Sequence, residues 1–265
     1  MSGLMKVLKD SYALLLAEPK LFIPKFIVAA LFSIPLLLFP GLALEALAIR
    51  SEEILVSTMW TLGVFIIAST LVDILVNAMY PFMVRDYFDK KPISLSASFR
   101  ESIGKFFVVA PAVLAVELLT ITIAAIASIP LAVAVVSGNI IFIAIAATVL
   151  LIVFFIVLVL FYLVYPVSAL EKNHFIGALR QSISISMKNR GDISKATLLT
   201  FAISLIAFVL AFAVTIYSKM GFVEGSIIAL LLFLGVRLAT AMLYTYQYVL
   251  NPVFYLEYEK NRVLK

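Results

Sequence analysis

The sequence predicts an all-α integral membrane protein with six transmembrane helices. Three observations predict this class: the composition, six long apolar segments, and a one-sided distribution of basic residues. Of the 265 residues, 64% are hydrophobic and only 13% are charged, and the mean hydropathy is +1.16. Soluble domains average about 45–50% apolar and about 25% charged residues. A soluble core of this length could not hide so much apolar surface.

Six apolar segments are each long enough to cross a bilayer, which takes about 20 residues of α-helix. They lie near residues 22–45, 54–84, 106–136, 139–168, 193–218 and 224–256. Several exceed the minimal length, which indicates tilt or helices that extend beyond the membrane. Pro35, Pro40, Pro111 and Pro130 mark the expected kinks or ends.

The basic residues predict the orientation of these spans. Of the 20 Lys and Arg residues, 17 precede or begin span one, follow span six, or lie between spans two and three or four and five. Only Arg50 and Lys219 lie on the opposite side, and Arg237 lies within span six. Cytoplasmic loops of membrane proteins carry the excess of Lys and Arg. We therefore expect a multi-pass protein of the cell membrane with both termini in the cytoplasm.

Two recurring markers predict three parallel two-helix repeats within a single transmembrane domain of residues 1–265. One marker, an apolar-basic-polar-Ser-apolar run, precedes spans one, three and five and includes Ser11, Ser102 and Ser182. The other, Tyr-Pro or Asn-Pro, closes each even span, and its prolines are 85 and 86 residues apart. Self-similarity at a fixed period is typical of repeat architectures. The repeats cover about residues 4–90, 91–172 and 173–265.

Each repeat is predicted to begin with a short cytoplasmic amphipathic helix. In the second repeat, for example, Leu95, Phe99 and Ile103 share one helical face, whereas Arg100 and Glu101 lie off it. Such helices either lie in the headgroup plane, with their basic residues toward anionic lipid, or pack beneath the bundle. Both interpretations stay open.

Three ionisable residues lie deep in the predicted spans: Asp73, Glu117 and Arg237. Such residues are costly in a membrane and mark functional sites by default. Spans two, three and six are expected to enclose a polar cavity, with further lining from Asn77, Thr120, Thr240 and Tyr244. Either the cavity binds a polar or charged ligand or conducts ions, or Arg237 pairs with Glu117 or Asp73 and only fixes helix packing.

Several function classes are excluded by what the sequence lacks. There is no Cys and one His, so thiolate nucleophiles, disulfides and Cys or His metal sites are ruled out. Hydrolase and phosphate-binding signatures are absent, and we expect no cofactor and no enzymatic activity. The net charge of +5 follows from basic cytoplasmic loops facing anionic lipid, so we expect no nucleic acid partner.

One stretch of about thirty residues resembles a known family. It contains Tyr165-Pro166-Val167, Glu171-Lys172-Asn173, Gly177-Ala178-Leu179-Arg180-Gln181-Ser182 and Lys188-Asn189-Arg190-Gly191-Asp192 before an apolar span. This run resembles the membrane domain associated with glycerophosphoryl diester phosphodiesterases and related multi-spanning proteins of bacteria and archaea. In that family a separate soluble barrel domain carries out hydrolysis, and we expect no such domain here. The resemblance therefore implies an architecture and no catalytic residues.

The expected function is transport, channel-like or accessory, with the polar site between spans two, three and six. One alternative is a membrane-embedded lipid-processing enzyme that uses Asp73 and Glu117, which requires both carboxylates at one accessible cleft. Another is a structural subunit of a membrane complex. Span four is apolar throughout its middle, so it is expected to face lipid, a second copy of the chain or another membrane protein.

Overall fold

The chain is described by a computed structural model over residues 3–38, 52–222 and 227–263. This part contains α-helices, one short 3-10 helix at Pro19–Phe22, and no strand. The helices are α1 Gly3–Ala17, α2 Ile23–Leu38, α3 Glu52–Asn77, α4 Met79–Phe88, α5 Leu95–Ser137, α6 Ile140–Leu160, α7 Val164–Leu170, α8 Phe175–Lys188, α9 Arg190–Phe222 and α10 Ile227–Val263. The all-α prediction is confirmed for these residues.

Five helical stretches are long and apolar enough to cross a membrane: Gly63–Phe88, Leu95–Ser137, Ile140–Leu170, Arg190–Ala213 and Leu230–Tyr258. They coincide with predicted spans two to six and indicate a multi-pass membrane protein. The first predicted span, 22–45, continues into residues 39–51, which lie outside the described part. Its described portion, α2, has 16 residues, so the sixth span stays a prediction.

The amphipathic segment of the second repeat is not a separate helix. It forms the first turns of α5, a continuous helix of 43 residues that contains Pro111 and Pro130. Each proline removes one backbone hydrogen bond, but the apolar residues on either side keep the helical pattern. Ser94 caps this helix, since its Oγ accepts a bond from the Ala97 amide at 3.4 Å. By contrast, α1 and α8 are separate short helices.

Predicted spans two and four break just before their Tyr-Pro pairs, whereas span six does not break at its Asn-Pro pair. The first break separates α3 from α4 at Ala78, and the second separates α6 from α7. Proline has no amide hydrogen, so the carbonyl four residues earlier loses its helical partner. Before Pro166 that carbonyl belongs to Tyr162, and it accepts a bond from Asn251 Nδ2 of α10 at 3.2 Å. In α10 itself the helix runs through Pro252.

Two serines of the recurring marker join neighbouring helices at these breaks. Ser102 Oγ of α5 donates to the Leu75 carbonyl at 2.5 Å, and Ser182 Oγ of α8 donates to the Leu160 carbonyl at 3.3 Å. Each acceptor precedes the proline of its Tyr-Pro pair by six residues. The two contacts therefore occupy corresponding positions in the sequence pattern.

A large apolar core lies around these breaks, where α1, α4, α7, the start of α9 and the end of α10 meet. Its fully buried side chains include Leu14, Tyr80, Leu163, Ile193 and Tyr255. The distant halves of α5 and α6 instead expose large apolar side chains to the surroundings. Lipid covers such surface at no cost in the hydrophobic effect, so this distribution fits a bundle embedded in a bilayer.

Candidate functional site

An ion pair joins the start of α2 to the middle of the membrane-spanning stretch in α3. Lys25 Nζ lies 2.7 Å from Asp73 Oδ1, and Asn77 Nδ2 donates to Asp73 Oδ2 at 2.8 Å. The Lys25 ammonium also lies 4.3 Å from the centre of the Tyr248 ring. The Lys25 side chain is 7% exposed and that of Asp73 is 33% exposed. Both oxygens of the Asp73 carboxylate therefore have a partner.

The surrounding helices fix this pair in place. Asp73 and Asn77 are four residues apart and share a face of α3. The Tyr80 hydroxyl donates to the Leu21 carbonyl at 3.1 Å, which holds the 3-10 helix just before α2 against α4. The Tyr80 and Tyr248 rings stack with their centres 5.9 Å apart. The aromatic contact links α4 to α10 directly beside Lys25.

A cavity of about 250 Å³ opens beside the ion pair, between α2, α3 and α10. It is lined by Lys25, Val28, Ala29, Phe32, Asp73, Arg237, Thr240, Ala241, Tyr244 and Tyr248. Four of the site residues expected from the sequence are among them, namely Asp73, Arg237, Thr240 and Tyr244. Pockets for drug-sized ligands typically have about 300–1,000 Å³, so this cavity suits a smaller molecule.

Arg237 lines the cavity without a carboxylate partner among the described residues. Its guanidinium carbon lies 5.3 Å from the centre of the Phe233 ring. The ion pair in this region is formed by Lys25 and Asp73, and the pairing of Arg237 with Asp73 or Glu117, one of the two alternatives from the sequence, is not observed among the described residues. Arg237, Thr240 and Tyr244 follow one another at spacings of three and four, which places them on one face of α10.

Three residues expected at the cavity lie elsewhere. Asn77 is completely buried behind Asp73, and its Nδ2 also lies 3.4 Å from the Tyr165 hydroxyl. Thr120 donates to the Val116 carbonyl of its own helix at 2.7 Å. Glu117 is exposed on α5, within electrostatic range of Asp73, and forms no ion pair in the described part of the chain. The helix that closes the cavity is thus α2, where the sequence suggested span three.

Lys25 is the site residue that sequence reasoning missed. It was grouped with the basic residues that flank the spans, because it lies at the edge of an apolar segment. One signal was available: Lys25 follows three apolar or proline residues inside the predicted span. An acidic residue at membrane depth also needs a basic partner, and a lysine stem is long enough to provide one from a neighbouring helix.

A second polar cluster links the two ends of the described chain. Lys6 Nζ of α1 lies 2.8 Å from Glu257 Oε2 of α10. The hydrogen bond to Glu257 raises the pKa of Lys6 above its ordinary value. A cavity of about 200 Å³ beside this pair also contacts Asn189 and Asp192. Because Lys6 and Glu257 neutralise each other at the surface, we assign this cluster to packing of α1 on α10.

The described residues contain no cluster of His, Cys, Asp and Glu side chains that could hold a metal ion. Comparison with known proteins adds no relative: no family model, curated protein or solved structure matches the chain. The resemblance of residues 165–192 to the membrane domain of glycerophosphoryl diester phosphodiesterases therefore stays a prediction. The functional argument consequently rests on the cavity between α2, α3 and α10.

Proposed function

We propose that this membrane protein binds and transports a small polar or charged solute at the cavity between α2, α3 and α10, and that it is not an enzyme. The observation that carries the proposal is Arg237. It lines the cavity together with Asp73, yet the described carboxylates form no ion pair with it. Ionisable groups within membrane spans mark substrate and ion pathways by default.

The charges that line the cavity are not balanced among themselves, because Lys25 and Arg237 are basic and Asp73 alone is acidic. Lys25 and Asp73 neutralise each other at 2.7 Å. Their attraction offsets the free-energy cost of placing either charge in an apolar setting. Among the described residues, the Phe233 ring lies against the Arg237 guanidinium, and a cation-ring contact supplies only about 0.5–2 kcal/mol. Water or a bound solute must supply the remaining hydrogen bonds of the guanidinium, so the cavity is suited to polar contents.

The wider arrangement belongs to the same proposal: six spans in three parallel repeats, with both termini in the cytoplasm of the cell. The corresponding bonds of Ser102 and Ser182 support the repeats. The packing of α1 on α10 also supports the repeats, because α5 packs on α4 and α8 packs on α7 in the same way. The one-sided distribution of Lys and Arg supports the orientation and a contact between the cytoplasmic helices and anionic lipid.

The two alternative functions have less support from the geometry. A lipid-processing enzyme would need Asp73 and Glu117 at one cleft, but only Asp73 lines the cavity. A structural subunit would need a docking surface, and α6 does expose Ile145, Val149 and Ile152. Lipid covers those side chains equally well, so homo-oligomers or a membrane partner remain predictions without a specific contact to favour them.

Swelling of proteoliposomes in iso-osmotic urea, glycerol, or potassium acetate with valinomycin to carry the K⁺ counter-ion tests the proposal, because net entry of the solute draws in water. We expect faster swelling than in protein-free liposomes for at least one solute. The variants Arg237→Gln and Asp73→Asn should reduce that rate, because they change the charge of the cavity. Arg100→Gln, which removes an exposed arginine of α5, is the matched control. Rates equal to those of protein-free liposomes with all three solutes would contradict transport.

A further inference from the structure

The charges of the cavity favour one class of ligand. Its charged lining residues are Lys25, Asp73 and Arg237, which sum to a net charge of +1 when all three are ionised. Lys25 is engaged by Asp73, so Arg237 carries the excess charge. A monovalent anion would leave the site neutral, whereas a divalent anion would leave a negative charge. An unbalanced charge is expensive in a medium of low dielectric constant.

The donors are arranged along one helix. Arg237, Tyr244 and Tyr248 lie on the same face of α10, and the helix rises roughly 16 Å from Arg237 to Tyr248. The guanidinium offers a planar fork of N–H donors that matches a carboxylate bidentately. The Thr240 hydroxyl already donates to the Arg237 carbonyl at 2.9 Å, so toward the cavity it presents an acceptor oxygen.

The opposite wall of the cavity is apolar. Val28, Ala29 and Phe32 of α2 face this space, and Ala241 adds a methyl group from α10. A ligand that filled the cavity with a polar body would leave hydrogen-bonding groups unsatisfied against this wall, which is costly. An anion with a short apolar chain satisfies both sides. A glycerophospholipid carries a monovalent phosphodiester too, but its glycerol and acyl chains exceed a cavity of about 250 Å³.

We propose that the cavity binds a small organic monocarboxylate, with the carboxylate on the Arg237 guanidinium and the aliphatic chain against α2. This assignment rests on the proposed function, in which the cavity is the solute site. It goes further by naming the charge, the head group and the apolar body of the solute.

Binding to the detergent-purified full-length chain tests the proposal without a transport step. The melting temperature is titrated with sodium hexanoate, its neutral analogue hexanamide, sodium acetate and sodium phosphate. Hexanoate should raise the melting temperature most, and acetate should bind more weakly because it lacks the chain that contacts α2. The affinity for hexanoate should fall at least about tenfold in Arg237→Gln, because a charge-assisted hydrogen bond contributes that much or more. Arg237→Lys should lose part of the affinity for hexanoate, and Arg100→Gln should lose none.

Each other outcome overturns the assignment. Equal stabilisation of the unsubstituted protein by hexanamide and hexanoate would exclude a carboxylate site, and this comparison needs no variant to fold. Stabilisation by phosphate alone would indicate an oxyanion site without an apolar body, and stabilisation only by short-chain phosphatidylglycerol would indicate a lipid headgroup. No response to any probe, with solute-dependent swelling retained, would leave the transport proposal standing and reject the monocarboxylate. No response together with no swelling would reject both.

Discussion

At the scale of single residues, Lys25 and Asp73 show how the chain places charge inside an apolar bundle. The lysine enters from the first turn of α2 and reaches an acid of α3, while the Tyr248 ring lies against its ammonium group. Asn77 takes the second carboxylate oxygen. The pair is therefore held by three helices, and its two members should depend on each other.

A double-mutant cycle of Lys25→Met and Asp73→Asn measures that dependence. Each single substitution should lower the free energy of unfolding by about 1–3 kcal/mol, because it leaves the other group without its partner. The expected loss is smaller than the loss of about 3–5 kcal/mol on breaking a fully buried pair, because a third of the Asp73 side chain is exposed. The double variant should lose less than the sum of the single losses, as measured by unfolding in mixed micelles.

The pair Lys91 and Asp89 is a matched control. These side chains approach to 3.0 Å but are 62% and 48% exposed, so their coupling should lie within about 0–1 kcal/mol. If the Lys25–Asp73 coupling were no larger than that of this surface pair, the ion pair would not determine the packing of α2.

The sequence located part of this site and missed part of it for a physical reason. Depth within a span and helical periodicity are local properties, and they identified Asp73, Arg237, Thr240 and Tyr244. The packing of one helix against another is a tertiary property, which these local patterns do not define. The cavity therefore includes α2, and not the helix that carries Glu117 and Thr120.

At the scale of helices, the proline breaks are stabilised by contacts from neighbouring helices. Pro166 leaves the Tyr162 carbonyl without an amide partner in its own helix, and Asn251 supplies one. The length of the apolar segments predicted the five spans that the described part of the chain contains. Apolar length did not predict that the amphipathic start of α5 would join its span, and Leu95–Ser137 is one continuous helix although it contains Pro111 and Pro130.

Asn251→Ala should lower the free energy of unfolding by about 1 kcal/mol, the typical net value of one hydrogen bond. Pro166→Ala restores an amide hydrogen four residues after Tyr162, so Asn251→Ala should cost less in that background. Both values come from the same unfolding measurement.

Asn139→Ala provides the control, because Asn139 caps α6 through bonds to the amides of Ile141 and Phe142 and does not contact the break. Its cost should be the same with and without Pro166. Equal costs of Asn251→Ala in the two backgrounds would mean that the carbonyl of Tyr162 does not depend on Asn251.

At the scale of the whole molecule, the orientation in the membrane is a prediction that rests on the distribution of charge alone. The chain has no cysteine, so single-cysteine variants report topology without background. Lys172→Cys, at the exposed turn after α7, should react with a membrane-impermeant maleimide only after the cytoplasmic side is opened. Ser137→Cys, at the turn between α5 and α6, should react in intact cells. The reverse pattern would show that the bundle has the opposite orientation.

The proposed function depends on a polar cavity between α2, α3 and α10 within the membrane. The most direct measurement is the reaction of Thr240→Cys with small water-soluble methanethiosulfonates of opposite charge, in membranes. We expect modification by both reagents, faster with the anionic one because Arg237 lines the same cavity. Leu151→Cys, at an exposed apolar position of α6, should stay unmodified because it faces lipid. Equal resistance of both cysteines would show that water does not enter, and would contradict the account.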